Sequence, residues 1–199
     1  MSHWTAFIGH ALLLSALLWR LLAGLGFPRL ARWLPLLVSA LMLVPAGGIH
    51  LGGYVRGVLG DLSITTLILL GHHLTGRYCG RAWLAPPELR VVRGTIGITG
   101  LLFYPLALGV SPLDPYAWGY ASLTLPGLLL AAVLGLWLYG LRAAAWLWLA
   151  VAAAFVLGLL ESTNLWDYLL DPWLVFYVWG GWIAAAGARL RPGALRESR

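Results

Sequence analysis

The arginines of this chain lie almost entirely between long apolar runs, and they constrain its fold more than any other feature. Thirteen of the 199 residues are arginine and none is lysine. Seven apolar runs are long enough, or nearly so, to cross a bilayer as helices, since the hydrocarbon core needs about 20 residues. We therefore expect an all-α, polytopic transmembrane bundle of about seven helices. The runs are residues 4–27, 34–53, 57–76, 94–110, 121–141, 143–160 and 172–188.

The arginines occupy alternate gaps between these runs. Arg56 alone lies in the second gap, the fourth and sixth gaps have none, and Arg20 lies inside the end of the first run. Because positive residues concentrate in cytoplasmic loops, the pattern places the amino terminus outside and the carboxyl terminus in the cytoplasm. The remaining arginines then all face the cytoplasm: Arg29, Arg32, Arg77, Arg81, Arg90, Arg93, Arg142, Arg189, Arg191, Arg196 and Arg199.

This topology defines the expected location and domain organisation. We expect residues 1–190 to form a single transmembrane helical domain of a multi-pass bacterial inner-membrane protein, and residues 191–199 to form a short basic cytoplasmic tail. No gap is long enough for a separate soluble domain, which needs at least about 40 residues. Positive charge follows the first run instead of preceding it, which favours a retained helix over a cleaved signal peptide.

The composition narrows the expected partners. Hydrophobic residues make up 61% of the chain and charged residues 10%, whereas a soluble domain carries about 25% charged residues. The net charge of +6 is explained by the topology, so nucleic acid is not an expected partner. The expected partners are the lipid bilayer, anionic lipid headgroups at the cytoplasmic face, and other membrane proteins.

Proline and glycine add two local expectations. Pro45 falls inside the second run and predicts a kink there, because proline cannot donate the helical hydrogen bond. Gly94, Gly97 and Gly100 recur every three residues along the fourth run. Small residues let helix backbones approach closely, so this run is expected to pack centrally against a neighbour.

The sharpest local feature is the glycine-rich segment of residues 47–61. It contains His50, Tyr54, Arg56 and Asp61, and Arg56 is the only arginine predicted to lie outside. We predict that Arg56 and Asp61 pair across this turn, within about 4 Å. Two interpretations stay open: the pair stabilises the turn, or the two residues bind an anionic group or pass a proton.

A line of polar residues begins at Asp61. At about 100° per residue, Asp61, Thr65 and His72 share one face of the third helix and are expected to face protein or trapped water. The outer side also carries most of the acidic residues, of which Asp114 and Asp171 are explained as helix caps and Glu161 is not. The candidate polar site therefore comprises Arg56, Asp61, His50, Thr65, His72 and Glu161.

Metal and cofactor motifs are weak in this sequence. Cys79 is the only cysteine, so no cysteine metal cage can form. His10 and His50 lie at similar predicted depth, which leaves bis-histidine haem as an alternative to the expected absence of a cofactor. A zinc or copper site that includes Asp61 has no stronger support, and no metal site is expected.

Three function classes follow from these residues. The first is a small transporter or channel-like carrier with a polar route along Asp61, Thr65 and His72. The second is a membrane subunit or assembly factor that acts through helix contacts. The third is a membrane-embedded enzyme with an outer-facing polar site, although no known catalytic constellation is present.

Overall fold

A computed structural model describes residues 2–27, 33–120 and 122–190 of the chain. The described residues are largely α-helical, with a short β-hairpin and a 3-10 turn at Tyr116–Gly119. The expected basic tail, residues 191–199, lies outside the described residues, as do Arg29 and Arg32. The helices are α1 (Ser2–Gly24), α2 (Leu34–Met42), α3 (Leu51–Leu59), α4 (Ile64–Cys79), α5 (Pro86–Ala107), α6 (Thr124–Leu138), α7 (Arg142–Val156), α8 (Leu165–Leu169) and α9 (Pro172–Arg189), and the antiparallel strands are β1 (Pro45–Ala46) and β2 (Ile49–His50).

The expected bundle of seven membrane spans is wrong. Within the described residues, only the segment Phe7–Gly24 of α1 is long and apolar enough to cross a membrane, by length and composition. A second candidate exists only if α3 and α4, which are bent by 118°, are counted together as one broken span. The expected multi-pass topology and multi-pass inner-membrane location are therefore corrected to one candidate span near the amino terminus, or two at most.

Helix length is the physical reason for this correction. The fifth and sixth apolar runs form α6 and α7, which have 15 residues each. At 1.5 Å per residue each helix is about 22 Å long, short of a hydrocarbon core about 30 Å thick. Helices α5 and α9 are longer, with 22 and 18 residues, but neither is apolar enough over a membrane-length stretch to count as a candidate span.

Tight turns interrupt the second, third and fifth runs. The second run leaves its helix at Met42 and enters the hairpin of β1 and β2, so Pro45 begins a strand and kinks no helix. Gly47 has φ +59° and Gly60 has φ +71°, and such left-handed backbone is accessible to glycine at little cost. Gly140, with φ +76°, separates α6 from α7 in the same way.

A large core holds together α4 to α9, which we call the helical body. Its buried side chains form one cluster that extends from Ile64 on α4 to Val178 on α9. The predicted close approach along the fourth run is confirmed at two of its three glycines. A Cβ on Gly97 would collide with Trp182, and one on Gly100 would lie 2.6 Å from Val175.

The helices α1, α2 and α3 form a smaller N-terminal unit. Its buried apolar cluster contains Ala11, Leu34, Val38 and Met42. Helix α1 also packs against α4 of the helical body. The ring of His10, fully buried on α1, bonds through Nε2 to the carbonyl of Gly60 at 2.9 Å, which ties α1 to the turn between α3 and α4.

Candidate functional site

The predicted pair of Arg56 and Asp61 is present, and it includes a third residue. Arg56 Nε donates to Asp61 Oδ1 at 2.7 Å and Arg56 Nη2 donates to Asp61 Oδ2 at 2.9 Å. Arg56 Nη2 also donates to Glu161 Oε2 at 2.8 Å. Glu161 lies in the loop between α7 and α8 of the helical body. The hydrogen bonds to Asp61 and then to Glu161 raise the pKa of Arg56, so it stays charged at any physiological pH.

The local backbone explains this geometry. Helix α3 ends at Leu59, and Gly60 takes a left-handed φ that reverses the chain. The reversal places Asp61 beside Arg56, which lies in the last turn of α3. The side chains of Arg56 and Asp61 are 27% and 34% exposed, so solvent screens much of their attraction.

Asp171 joins the amino ends of two helices. Its Oδ1 accepts the amide of Leu174 at 2.9 Å and so caps α9. Its Oδ2 accepts the amide of Ser63 at 3.0 Å and the hydroxyl of Ser63 at 2.8 Å, at the start of α4, and also bonds to Thr66 Oγ1. The cap predicted at Asp171 is therefore present, and it also fixes the position of α4 against α9.

A cavity of about 340 Å³ lies beside these groups. We call it the acidic pocket, because three carboxylates line it and no arginine does. The three carboxylates are those of Asp61, which bonds to Arg56, of Asp171, which caps α9, and of Asp167 on α8. The remaining lining residues are mostly aromatic or apolar: Phe103, Tyr104, Tyr116, Leu160, Ser162, Trp166, Leu170 and Pro172.

Two tyrosines supply hydroxyl groups to the acidic pocket. Tyr116 Oη donates to Asp167 Oδ2 at 3.2 Å, and Ser162 Oγ bonds to the same oxygen. Burial, with the nearby charges of Asp171 and Asp167, raises the pKa of Tyr104, and burial is also the first cause of the raised pKa of Tyr116. Both phenols are therefore protonated at neutral pH, and that of Tyr116 donates to Asp167.

A well-bonded loop shapes the pocket wall. Asn164 is fully buried: its Oδ1 accepts the amide of Trp166 at 2.9 Å and its Nδ2 donates to the carbonyl of Tyr116 at 3.0 Å. Trp166 Nε1 donates to the carbonyl of Pro115 at 2.8 Å. Tyr168 Oη bonds to both the amide and the carbonyl of Leu160. These bonds hold the aromatic side of the pocket rigidly in place.

The other predicted site residues lie apart from the pocket. Thr65 is fully buried and donates to the carbonyl of Tyr168 at 3.3 Å, which ties α4 to α8. His72 Nδ1 accepts the amides of Trp83 at 3.1 Å and Leu84 at 3.4 Å, so it holds the loop that precedes α5. Burial and then the charge of Arg93 lower the pKa of His72, which keeps the ring neutral. Thr65 and His72 face protein as predicted, whereas Asp61 is exposed.

Of the two histidines considered as haem ligands, His10 does not offer its Nε2 atom. His10 Nε2 bonds to the carbonyl of Gly60, so that nitrogen carries a proton and has no lone pair for iron. His50 Nδ1 bonds to the carbonyl of Leu43 at 2.9 Å, in the hairpin of the N-terminal unit. In the part of the chain that the structure describes, no group of three or more His, Cys, Asp or Glu side chains could hold a metal ion.

The structure brings together three of the six predicted site residues, Arg56, Asp61 and Glu161, of which only the pair of Arg56 and Asp61 was predicted. The sequence analysis also missed the pocket beside them. The missed residues are Tyr104, Tyr116, Trp166 and Asp167. The available signal was the segment of residues 161–171, which holds three carboxylates and no basic residue. Tyr104 lies more than fifty residues away in sequence, and no periodic pattern connects it to that segment.

Comparison with protein-family models, with curated proteins and with solved structures finds no significant match to this chain. The function is therefore argued from the geometry of the pocket.

Proposed function

We propose that the protein binds a small organic cation in the acidic pocket. The observation that carries this proposal is the combination of three carboxylates and four aromatic side chains around one cavity of about 340 Å³. Ligand pockets for small molecules begin at about 300 Å³, so the size suits one small ligand. The carrier, subunit and enzyme functions expected from the sequence remain predictions.

The charge balance favours a cation. Asp61, Asp167 and Asp171 line the pocket, and Glu161 lies next to it in the chain. Arg56 bonds to Asp61 and Glu161, whereas Asp167 and Asp171 accept hydrogen bonds from hydroxyl and amide groups, which are neutral. Asp167 and Asp171 therefore bring negative charge to the pocket, and an ammonium group would offset part of it.

The aromatic rings favour an organic cation over a metal ion. Phe103 packs against Trp166 with ring centroids 4.4 Å apart, and against Tyr116 at 6.2 Å. Aromatic faces attract ammonium groups and also accept their apolar substituents. Metal ions such as Mg²⁺ and Ca²⁺ require several oxygen ligands at short distance, and most carboxylate oxygens here already accept protein hydrogen bonds.

Isothermal titration of the full chain with choline, and with its uncharged carbon isostere dimethylbutanol, tests the proposal. The two ligands have the same shape and differ in charge. Choline should bind, and the isostere should bind at least about tenfold more weakly, a difference of about 1.4 kcal/mol. Equal binding of the two ligands, or no binding of choline, would contradict a cation site.

A matched pair of variants locates the binding. Asp167→Asn removes a charge from the pocket and keeps a polar side chain in the place where Tyr116 and Ser162 bond. We expect this change to weaken choline binding about tenfold. Glu88→Gln removes one negative charge at the opposite end of α5 and should leave choline binding unchanged. Equal losses in the two variants would show that overall charge, and not the pocket, governs binding.

A further inference from the structure

Two arginines, a tryptophan and a histidine form a second charged cluster, at the end of α4 opposite the acidic pocket. The guanidinium carbon of Arg77 lies 4.5 Å from the ring centroid of Trp19 on α1. The ring of Trp19 also meets that of His73 edge-on, with centroids 6.5 Å apart. Arg20 follows Trp19 in the chain and its charge acts on His73, which lies one turn from Arg77 on α4. We call these four residues the arginine cluster.

Among the residues that the structure describes, no carboxylate neutralises the positive charge of this cluster. Arg20 and Arg77 are exposed, and neither forms a salt bridge with a carboxylate among the residues that the structure describes. Burial lowers the pKa of His73 first, followed by the charges of Arg77, Arg20, His72 and Arg93. His73 is therefore neutral at neutral pH, and the arginines carry the charge.

Helix ends explain only part of this arrangement. Arg77 lies in the last turn of α4, where a positive charge also offsets the helix dipole. Arg20 precedes the last turn of α1, which contains no basic residue, so the dipole of α1 does not explain it. Arg56, which lies on α3 near the amino end of α4, differs from these arginines because two carboxylates neutralise its charge.

Exposed apolar side chains adjoin the arginine cluster on α1. Leu17 is 55% exposed and Leu21 is 57% exposed, one on each side of Arg20 in the chain. These leucines belong to the segment Phe7–Gly24, the described helix with membrane length and apolar composition. The surface thus presents positive charge beside exposed hydrocarbon.

We infer that the arginine cluster binds the phosphate headgroup of an anionic phospholipid whose acyl chains lie along α1. Charge complementarity identifies the phosphate, since arginine guanidinium groups bind phosphate oxygens through paired donors. The adjoining leucines distinguish a lipid from free phosphate, because only the lipid carries acyl chains that would cover them. This inference is independent of the proposed cation site.

Vesicle flotation of the full chain tests the inference. Binding is measured to vesicles of phosphatidylcholine alone and to equimolar vesicles of phosphatidylcholine and phosphatidylglycerol. The ratio of the two partition coefficients isolates the contribution of anionic headgroups from general apolar adsorption. The Arg77→Gln variant should lower this ratio about fivefold, which corresponds to about 1 kcal/mol for one basic residue at a membrane surface.

Arg142→Gln is the matched control. Arg142 also lies over a tryptophan, with its guanidinium carbon 5.8 Å from the ring centroid of Trp137, and its loss changes net charge equally. The ratio for Arg142→Gln should stay within about twofold of the parent, and Arg77→Lys, which keeps the charge, should do the same. Equal losses in Arg77→Gln and Arg142→Gln would overturn the inference, as would a loss in Arg77→Lys as large as that in Arg77→Gln.

Inorganic phosphate distinguishes the two sources of the anion. Phosphate added at constant ionic strength, with chloride as the reference, should leave vesicle binding unchanged. Release of the protein by phosphate but not by chloride would show that a free phosphate ion occupies the cluster, and it would overturn the lipid assignment.

Discussion

The N-terminal unit and the helical body differ in the length of their helices and in how many apolar side chains they bury. Helix α1 continues for 23 residues, and among the described side chains the apolar cluster of its unit contains four buried residues. In the helical body the helices range from 5 residues (α8) to 22 residues (α5), and they surround a cluster of twenty-two buried residues. Apolar composition is therefore a poor guide to helix length, because the contacts at the helix ends set the length.

Buried polar side chains set those ends in the helical body. Asp171 caps α9 and bonds to the start of α4, while Asn164 caps α8 and bonds to the loop before α6. Along α1, His10 bonds to the carbonyl of Gly60 and Ser15 bonds within its own helix. We expect substitutions at these polar contacts to destabilise the body far more than changes in its exposed apolar residues.

The largest effect is expected at Asp171. Asp171→Ala removes the acceptor for Ser63, Thr66 and Leu174 and leaves buried donors without partners. We expect the free energy of unfolding to fall by about 3 kcal/mol or more, since hydrogen bonds to a charged group are strong and unpaired buried donors are costly. Chemical denaturation of the full chain in detergent micelles measures this loss.

Asp114→Ala is the matched control for that prediction. Asp114 is an exposed cap whose Oδ1 accepts the amide of Tyr116 at 3.0 Å. Its loss should cost about 1 kcal/mol, the usual value for a surface cap. A loss at Asp171 no larger than that at Asp114 would show that the junction of α4 and α9 does not stabilise the body.

A smaller loss is expected at Gly119. A Cβ there would collide with Asn164, whose amide holds the carbonyl of Tyr116. Gly119→Ala should therefore destabilise the protein by about 2 kcal/mol and weaken ligand binding in the acidic pocket. In contrast, Gly127 on α6 has open space around it, and Gly127→Ala should stabilise its helix by about 0.5–1 kcal/mol. Thermal unfolding of the two variants distinguishes them, and equal shifts would contradict the described packing at Asn164.

These residues also show what the sequence could and could not reveal. The cap at Asp171 is predictable because Asp-Pro before an apolar run is a local signal, and the pair of Arg56 and Asp61 is predictable because the two residues share one turn. Glu161 bonds to Arg56 from more than one hundred residues away in the chain. The sequence indicated only that Glu161 has no role as a helix cap. Helix lengths were predicted wrongly because the positions of Gly60, Gly140 and Pro45 were treated as interior to apolar runs.

The next prediction concerns pH. The pKa of His72 is lowered from 6.5, so the unfolded state binds more protons than the folded state when the pH falls below about 6.5. The free energy of unfolding should keep its full value above that pH and should decrease on acidification, because protonation of His72 disrupts its bonds from Trp83 and Leu84. His72→Gln should show a smaller loss between about pH 7 and pH 5, by thermal unfolding. An identical pH dependence in parent and variant would contradict this role of His72.

The smallest effect is expected at the contact between the two regions. Arg56 on α3 of the N-terminal unit bonds to Glu161 of the body, whose side chain is 47% exposed. Because exposed ion pairs contribute little, Arg56→Gln should cost less than about 1 kcal/mol. A double-mutant cycle with Glu161→Gln should give a coupling energy of about 0.5 kcal/mol. A coupling above about 2 kcal/mol would mean that this bridge, and not apolar packing, joins the two regions.

The central structural claim is that the described chain contains one membrane-length apolar helix, α1, with α3 and α4 as the only further candidate. Cysteine labelling in intact cells tests it directly, with Cys79 replaced by serine and single cysteines placed at Tyr139, Thr163 and Leu190. All three positions follow every candidate span, so a membrane-impermeant maleimide should label all three or none. Labelling at Thr163 without labelling at Tyr139 and Leu190 would show that the later helices cross the membrane, and it would contradict this account.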